Sequence, residues 1–144
     1  MSGNKYFQIS TKAILKNDKG EVLVLLENGQ SKGFYDFPGG RIQEGEEELK
    51  PSAVLAREVA EEAGPIEFEL SEKPCAVGRH SYIGRNGEKV YLIWIFFEGK
   101  FLGGDVKISA EHDGYKWVDL ETIELTKYFV RGSLDGMKNY LGRE

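Results

Sequence analysis

Apolar and polar residues follow one another along the first part of the chain in a pattern that predicts a β-hairpin. Apolar positions recur through residues 6–16 and again through residues 21–26, as expected of strands that are buried on at least one face. The intervening residues 17–20 are Asn, Asp, Lys and Gly, and three of these types are favoured in turns. We therefore expect two adjacent strands at the start of the fold.

The longest apolar run in the chain predicts a second hairpin. Residues 91–97 are seven consecutive apolar or aromatic residues, whereas a membrane-spanning helix requires about 20. We interpret the run as part of a buried strand over residues 88–98 that pairs with residues 77–85. Asn86 and Gly87 separate the two strands, and because both residue types tolerate positive φ they predict a type I′ turn.

A central helix is predicted over residues 51–63. Pro51 suits its first turn, and Gly64 followed by Pro65 gives the order of residues that commonly ends a helix. This helix stands between the two predicted hairpins.

The last part of the chain favours one more strand and one more helix. Residues 115–119 predict a short strand, and residues 127–141 predict a terminal helix that Gly132 and Gly136 interrupt. Strands before and after a central helix, with another helix at the end, indicate an α+β fold in which a mixed sheet lies between helices.

Composition and charge narrow the function further. The chain has 144 residues, of which 40% are hydrophobic and 30% charged, and these are ordinary values for a globular protein. We interpret residues 1–144 as a single domain. The net charge is −5 and no run of Lys or Arg is present, so a DNA-binding or RNA-binding surface is not expected. A polyanionic substrate would need a metal ion to shield its charge.

Cysteine usage and hydropathy bear on the protein's surroundings. Cys75 is the only cysteine, so no disulfide can form within the chain and a reducing, cytoplasmic setting is expected. We interpret its side chain as a small buried hydrophobe. No association with a membrane is expected, the expected partner is a small molecule, and the protein is expected to be a monomer or a homodimer.

Three carboxylates cluster on one face of the predicted central helix. At about 100° per residue, Glu61 and Glu62 lie within roughly a quarter turn of Glu58. The opposite face carries the predicted core positions Ala53, Ala56, Val59, Ala60 and Ala63. Like charges at these spacings destabilise a bare helix, so the cluster is best explained by a divalent cation with oxygen ligands, Mg²⁺ or Mn²⁺. A solvated acidic face is the alternative interpretation of these three residues alone.

The segment that contains this cluster resembles the Nudix box, whose pattern is G-x5-E-x7-R-E-U-x-E-E-x-G-U with U a bulky aliphatic residue. The matching residues are Gly40, Glu46, Arg57, Glu58, Val59, Glu61, Glu62 and Gly64. Ten residues rather than seven separate Glu46 from Arg57, and Pro65 replaces the closing aliphatic residue. The extra residues are expected to lengthen the loop before the helix, so pairing of Glu46 with Arg57 depends on the geometry of that loop.

The resemblance implies a Nudix-type α/β/α sandwich and a set of functional residues. It implies that Mg²⁺, with Mn²⁺ as an alternative, is held by the backbone carbonyl of Gly39 and by the carboxylates of Glu58, Glu61 and Glu62. Arg57 is expected to orient carboxylates. The general base is then either Glu58 or a glutamate from a later loop, for which Glu111 is the main candidate. A solvated loop acid is the ordinary alternative for Glu111.

Substrate contacts are expected from two arginines and one aromatic residue. Arg41 and Arg79 could reach bound phosphates, and Tyr82 could stack on a base. Taken singly, each residue also has an ordinary interpretation, because surface arginines are common and most aromatic residues pack in cores.

Two functions follow as hypotheses. The first is a magnesium-dependent Nudix hydrolase that cleaves the diphosphate linkage of a nucleoside diphosphate derivative, namely a nucleotide, a dinucleoside polyphosphate or a nucleotide sugar. The second is a catalytically inactive module of the same fold that binds a nucleotide or a partner. The retention of Glu58, Glu61 and Glu62 favours the enzyme.

Overall fold

The computed structural model describes residues 3–144. The strands are β1 (Gln8–Lys16), β2 (Val22–Glu27), β3 (Tyr35–Asp36), β4 (Gly39–Arg41), β5 (Glu67–Ile83), β6 (Lys89–Gly103) and β7 (His112–Val118). The helices are α1 (Pro51–Ala63), α2 (Leu125–Tyr128) and α3 (Arg131–Tyr140). Within the same residues, no helix is long and apolar enough to cross a bilayer.

The strands form a single mixed sheet, as predicted. Its main order is β3-β2-β1-β6-β5, with β4 paired to β1 and β7 paired to β2. The central strands β1 and β6 run parallel, in a register that extends from Gln8 opposite Leu92 to Lys16 opposite Lys100. All the other strand pairs are antiparallel.

The alternation of residues along β1 divides the core into two layers. Ala13 and Leu15 belong to the cluster that contains Val59 of α1. Ile14 belongs to the other cluster, which contains Met137 of α3. Because successive side chains of a strand point to opposite faces, the sheet lies between α1 on one side and α3 on the other. The predicted α/β/α arrangement is confirmed.

The buried face of α1 differs from the predicted one. Leu55, Val59 and Ala63 are fully buried, but Ala53 and Ala60 are exposed. Compared with the predicted orientation, the side of α1 that faces the core includes Leu55. A neighbouring side of the helix is also buried, and it carries Glu58 and Glu62. Both faces are covered because the sheet packs against one of them and the β4 segment against the other.

The turn between β5 and β6 is not the predicted type I′ turn. Gly87 has φ of 78°, but Asn86 is not among the residues with positive φ. The Gly84 N–H donates to the Glu88 carbonyl at 2.7 Å, and the Gly87 N–H donates back to the Gly84 carbonyl at 3.1 Å. The connection is therefore a longer loop in which only the glycine needs the left-handed conformation.

The C-terminal helix is broken, but not by its glycines. Phe129 and Val130 have extended backbone between α2 and α3, whereas Gly132 and Gly136 lie inside α3. A Cβ atom at Gly136 would stand 2.2 Å from the ring of Phe96, and one at Gly132 would stand 2.7 Å from the ring of Trp94. The two glycines therefore allow α3 to approach the sheet closely.

We predict that Gly136→Ala destabilises the protein, although alanine is the better helix former. The added methyl group would overlap Phe96 and should lower the free energy of unfolding by about 1–3 kcal/mol. Urea unfolding measures the change. Gly29→Ala is the matched control, because a Cβ atom at Gly29 meets nothing within 4 Å. Equal stability of the two variants would contradict the close approach of α3.

Candidate active site

The site begins where β4 meets the last turns of α1. Gly39 has φ of 148°, and a Cβ atom there would lie 1.9 Å from the carbonyl oxygen of Thr11. Only glycine fits this position, because its backbone lies directly against β1. Its N–H donates to Oε1 of Glu62 at 2.7 Å, which joins the sheet to the acidic face of the helix.

Gly40 leaves space beside the second carboxylate. A Cβ atom at Gly40 would stand 3.0 Å from both Cδ and Oε2 of Glu58. Burial raises the pKa of Glu58, while the adjacent Arg57 acts in the opposite direction. Glu58 and Glu62 are both buried, with 9% and 8% of their surface exposed, so two carboxylates converge on one glycine turn.

Arg57 binds three carboxylates at once. Its Nη2 lies 2.6 Å from Oε2 of Glu46 and 3.2 Å from Oε1 of Glu58, and its Nη1 lies 3.1 Å from Oε1 of Glu61. These bonds raise the pKa of Arg57, and the bond to Glu46 contributes most. The pKa of Glu46 is in turn lowered by the Gln43 N–H and by Arg57. Arg57 therefore holds Glu58 in place from its solvent side.

The longer loop before α1 still brings Glu46 to Arg57. The Glu46 N–H donates to the carbonyl of Gln43 at 3.0 Å, and the Leu49 N–H donates to the carbonyl of Glu46 at 3.1 Å. The additional residues form a compact turn that ends at Pro51, the first residue of the helix. The insertion therefore does not disturb the ion pair.

Burial strongly perturbs two carboxylates in this region. Burial raises the pKa of Glu62 to about 7, although the Gly39 N–H and the charge of Lys12 oppose the shift. Burial, followed by repulsion from Asp36, raises the pKa of Glu27 to about 7. Carboxylates whose pKa is perturbed so strongly concentrate at functional sites.

The segment after β6 closes the site on its other side. The N–H groups of Lys107 and Ser109 donate to the carbonyls of Ala63 and Glu62 at 2.9 and 3.3 Å. They thus satisfy the end of α1 and bring the following residues to it. Ligand atoms of Glu62, Glu111 and His112 lie within 4.8 Å of one another.

Sequence reasoning did not identify His112. Its side chain is 5% exposed, and its Nδ1 is buried without a hydrogen-bond partner in residues 3–144. Burial lowers its pKa, so the imidazole is neutral at pH 7 and carries a free lone pair. The one available signal was its place next to Glu111, but a lone histidine before a strand has no specific meaning.

The arrangement suits a divalent cation. It offers carboxylate oxygens from α1 and from the segment before β7, and the absence of a side chain at Gly40 leaves room beside Glu58. Carboxylates are the ligands that Mg²⁺ and Mn²⁺ prefer. Glu61 is different, because its side chain is 59% exposed and is held by Arg57. It lies at the solvent edge of the cluster.

A small cavity opens next to this cluster. His112 Nε2 lies 4.0 Å from Oε1 of Glu27, and Glu27 lines a cavity of about 190 Å³ together with Asp36, Trp94 and Arg131. This volume equals about six water molecules. The cavity is therefore large enough for one ring system of a substrate.

A buried ion pair forms one wall of the cavity. Lys12 Nζ lies 2.8 Å from Oδ2 of Asp36 and 4.4 Å from the centre of the Trp94 ring. Burial alone would lower the pKa of Lys12, but the charge and hydrogen bond of Asp36, together with the charges of Glu62 and Glu27, raise it above the usual value. Ser133 Oγ also donates to Asp36 at 2.7 Å. These contacts fix the position of both side chains.

The structure separates the three predicted substrate residues into two places. The guanidinium of Arg41 lies 4.9 Å from the centre of the Tyr82 ring and donates to Gln8 at 2.9 Å. Arg79 is 80% exposed and faces Asp135 of α3. Arg41 and Tyr82 therefore form one platform, while Arg79 belongs to the groove beside α3.

Comparison with known proteins agrees with this fold and site. The NUDIX domain matches residues 6–136, so the chain belongs to the NUDIX family and is a hydrolase of that family. Nucleoside triphosphatase NudI of Escherichia coli O81 (strain ED1a) is 26% identical over 116 residues, which cover 76% of this chain and 80% of NudI.

Two solved structures show the same architecture. The MutT protein from Methanosarcina mazei Go1 is 35% identical, with a TM-score of 0.62, over 83% of this chain and 82% of that protein. The NUDIX domain of Shewanella oneidensis NrtR complexed with ADP ribose is 18% identical, with a TM-score of 0.60, over 90% of this chain and 82% of that chain. The second likeness concerns the fold alone.

We predict that Glu62→Gln becomes increasingly stable relative to the wild type as the pH rises from 4.5 to 8 without metal. The raised pKa of Glu62 means that the folded state holds a proton that the unfolded chain has released above pH 4.5. The stability that this proton contributes is lost as the pH passes about 7, and glutamine is not subject to that loss.

Urea unfolding in EDTA across this pH range measures the difference. Glu61→Gln is the matched control, since Glu61 is mostly exposed, and it should follow the wild type. A constant difference between Glu62→Gln and the wild type at every pH would contradict the burial of an ionisable Glu62.

Proposed function

We propose that this protein is a magnesium-dependent hydrolase that cleaves the diphosphate linkage of a nucleoside diphosphate derivative. The supporting observation is the convergence of Glu58, Glu62 and Glu111 around the glycine turn of β4. A diphosphate is highly charged, and its hydrolysis requires that this charge be neutralised and that a water molecule be activated. A cluster of oxygen ligands next to a cavity serves both needs.

The proposed metal site uses the residues at the end of α1. Glu58 and Glu62 would be the main ligands, Glu61 would bind from the solvent edge, and the backbone carbonyl of Gly39 would complete the set. Bound Mg²⁺, or Mn²⁺, supplies charge neutralisation and a more acidic water molecule. Arg57 is assigned the role of orienting Glu58 and Glu61, because it bonds both of them.

Glu111 is the proposed general base, with Glu58 as the alternative. Oε1 of Glu58 already accepts a hydrogen bond from Arg57, which makes it a poorer proton acceptor. The side chain of Glu111 is exposed and lies across the site from α1. It can therefore take a proton from a water molecule without first breaking an ion pair.

Arg41 above Tyr82 offers a planar cation and an aromatic face close to β4, which suits a nucleobase or a phosphate. NudI is named a nucleoside triphosphatase, and the NrtR domain was solved with ADP ribose. We propose that the substrate is a nucleotide, a dinucleoside polyphosphate or a nucleotide sugar.

The setting of this activity is also part of the proposal. We place it in the cytoplasm and assign it to one domain that acts as a monomer or a homodimer. The thiol of Cys75 is half-buried, and burial raises its pKa to about 11. It therefore remains protonated and does not act as a nucleophile.

Turnover of a substrate panel tests the proposed activity. Purified protein should hydrolyse at least one of a set of nucleoside triphosphates, ADP-ribose and diadenosine tetraphosphate when Mg²⁺ is present, and EDTA should abolish the reaction. Absence of turnover on every compound, with tight binding that does not depend on metal, would instead support the binding module considered above.

We predict that Glu62→Gln lowers kcat/KM by at least about 100-fold, because it removes a charge next to the cation while keeping the size of the side chain. Glu124→Gln is the matched control, since Glu124 pairs only with the exposed Lys127. Steady-state kinetics with the best substrate of the panel measures both variants. Full activity of Glu62→Gln would contradict the ligand assignment.

A further inference from the structure

A second, larger cavity lies beside α3 and has no part in the chemistry proposed above. It is a groove of about 680 Å³ between the start of β1, the strands β5 and β6, and α3. Its aromatic wall consists of Phe7 and Tyr91, whose ring centres are 5.6 Å apart. Arg79 and Lys138 also line the groove. We call it the α3 groove.

The α3 groove is strongly cationic although the protein is acidic. Besides Arg79, Arg131 and Lys138 in its lining, Lys5 and Lys89 lie 4.8 and 5.5 Å from the centre of the Tyr91 ring. The net charge of the whole chain is −5. Such a concentration of positive charge in an acidic chain attracts an anion locally.

One acid lines the α3 groove, and it is already engaged. Oδ2 of Asp135 accepts the backbone N–H of Arg79 at 2.7 Å and lies 3.7 Å from Nε of the same residue. Asp135 therefore binds the backbone at the edge of β5 and does not neutralise the charges of Arg131 and Lys138. Lys138, Arg131 and the Arg79 side chain, which is 80% exposed, remain available to a ligand.

The α3 groove adjoins the small cavity next to the carboxylate cluster. His80 and Arg131 line both spaces, and the small cavity ends at Glu27, which is 4.0 Å from His112. A substrate that places its diphosphate at the carboxylates and one ring of its nucleoside in the small cavity would point the remainder of the nucleoside toward the α3 groove.

Arg131 stands at this junction in an unusual backbone conformation. Its φ is 53°, and it is the one non-glycine residue with positive φ in the described part of the chain. Its Nη1 also donates to Gln30 at 3.2 Å across the small cavity. Residues held in such conformations concentrate at ligand sites, where the position of the side chain outweighs the strain.

We propose that the α3 groove binds a second phosphate group, carried by the substrate nucleotide on the side away from the diphosphate that is cut. Arg79, Arg131 and Lys138 provide the contacts to this phosphate. The proposal rests on the function proposed above and narrows the substrate to nucleotides with a phosphorylated sugar. The phosphate is either a terminal group or the link to a following nucleotide, whose base would lie on Phe7 and Tyr91.

A matched pair of substrates isolates this phosphate. Adenosine 5′-triphosphate and its 3′-phosphorylated analogue differ by one group, and the wild type should show a KM about 10-fold lower for the analogue, since one charge-assisted bond has that effect. The ratio should shrink when KCl is raised from 0.05 to 0.5 M. Equal KM values for the two substrates at low salt would overturn the proposal.

Variants assign the effect to the groove. Arg79→Gln combined with Lys138→Gln should bring the ratio of the two KM values close to one. Arg131→Gly should also reduce this ratio, and it introduces no backbone strain because glycine accepts the φ of 53°. Lys19→Gln, in the turn after β1, removes a lysine outside the groove and should keep the wild-type ratio. A preference for the analogue that survives the double substitution would also overturn the proposal.

A 5′-triphosphorylated dinucleotide distinguishes the two sources of the phosphate. If the dinucleotide has a lower KM than the 3′-phosphorylated nucleotide, and Tyr91→Ala raises the KM of the dinucleotide, a following nucleotide is the occupant of the groove. Equal KM values, unaffected by Tyr91→Ala, identify a terminal phosphate. Both outcomes support the groove as a phosphate site.

Binding separates failure of this inference from failure of the proposed activity. In metal-free calorimetry, adenosine 3′,5′-bisphosphate should bind about 10-fold more tightly than adenosine 5′-monophosphate, and the double variant should lose the difference. This result would support the groove even if no substrate were hydrolysed. Equal affinities would overturn the inference even if the enzyme were active.

Discussion

The hydrogen bond from Gly39 to Glu62 is the contact on which the site depends. It joins β4 to α1 across the point where the backbone of Gly39 lies against β1, and a side chain at Gly39 would prevent that approach. Once this contact is made, Glu58 comes to lie beside Gly40, and the segment that satisfies the end of α1 brings Glu111 to the same place. A glycine turn therefore organises acids from two distant parts of the chain.

The electrostatics of this arrangement explain why a hydrolase would retain it. Buried carboxylates without a cation weaken a folded protein, because burial disfavours their ionised form. Here burial raises the pKa of both Glu62 and Glu27 to about 7, while Arg57 pairs instead with Glu46, Glu58 and Glu61. A divalent cation bound beside Glu62 would favour the ionised form of these acids and offset that cost.

Much of this architecture could be predicted from the sequence, but the connections could not. The helix over residues 51–63 and the pairing of β5 with β6 follow from local patterns of apolar residues, glycine and proline. The path of the longer loop before α1 depends on turn geometry that no local pattern specifies. In the structure this loop brings the Glu46 carboxylate into an ion pair with Arg57. His112 was not identified because it comes near Glu62, fifty residues earlier in the sequence, only in the folded chain.

Proton release on metal binding tests the central claim most directly. At pH 6 most Glu62 side chains should carry a proton, given a pKa of about 7, and a cation that binds there must displace it. Calorimetric titration with Mg²⁺ or Mn²⁺ in buffers of different ionisation enthalpy should therefore show proton release for the wild type and much less for Glu62→Gln. Binding without proton release, or equal release from both proteins, would contradict the account.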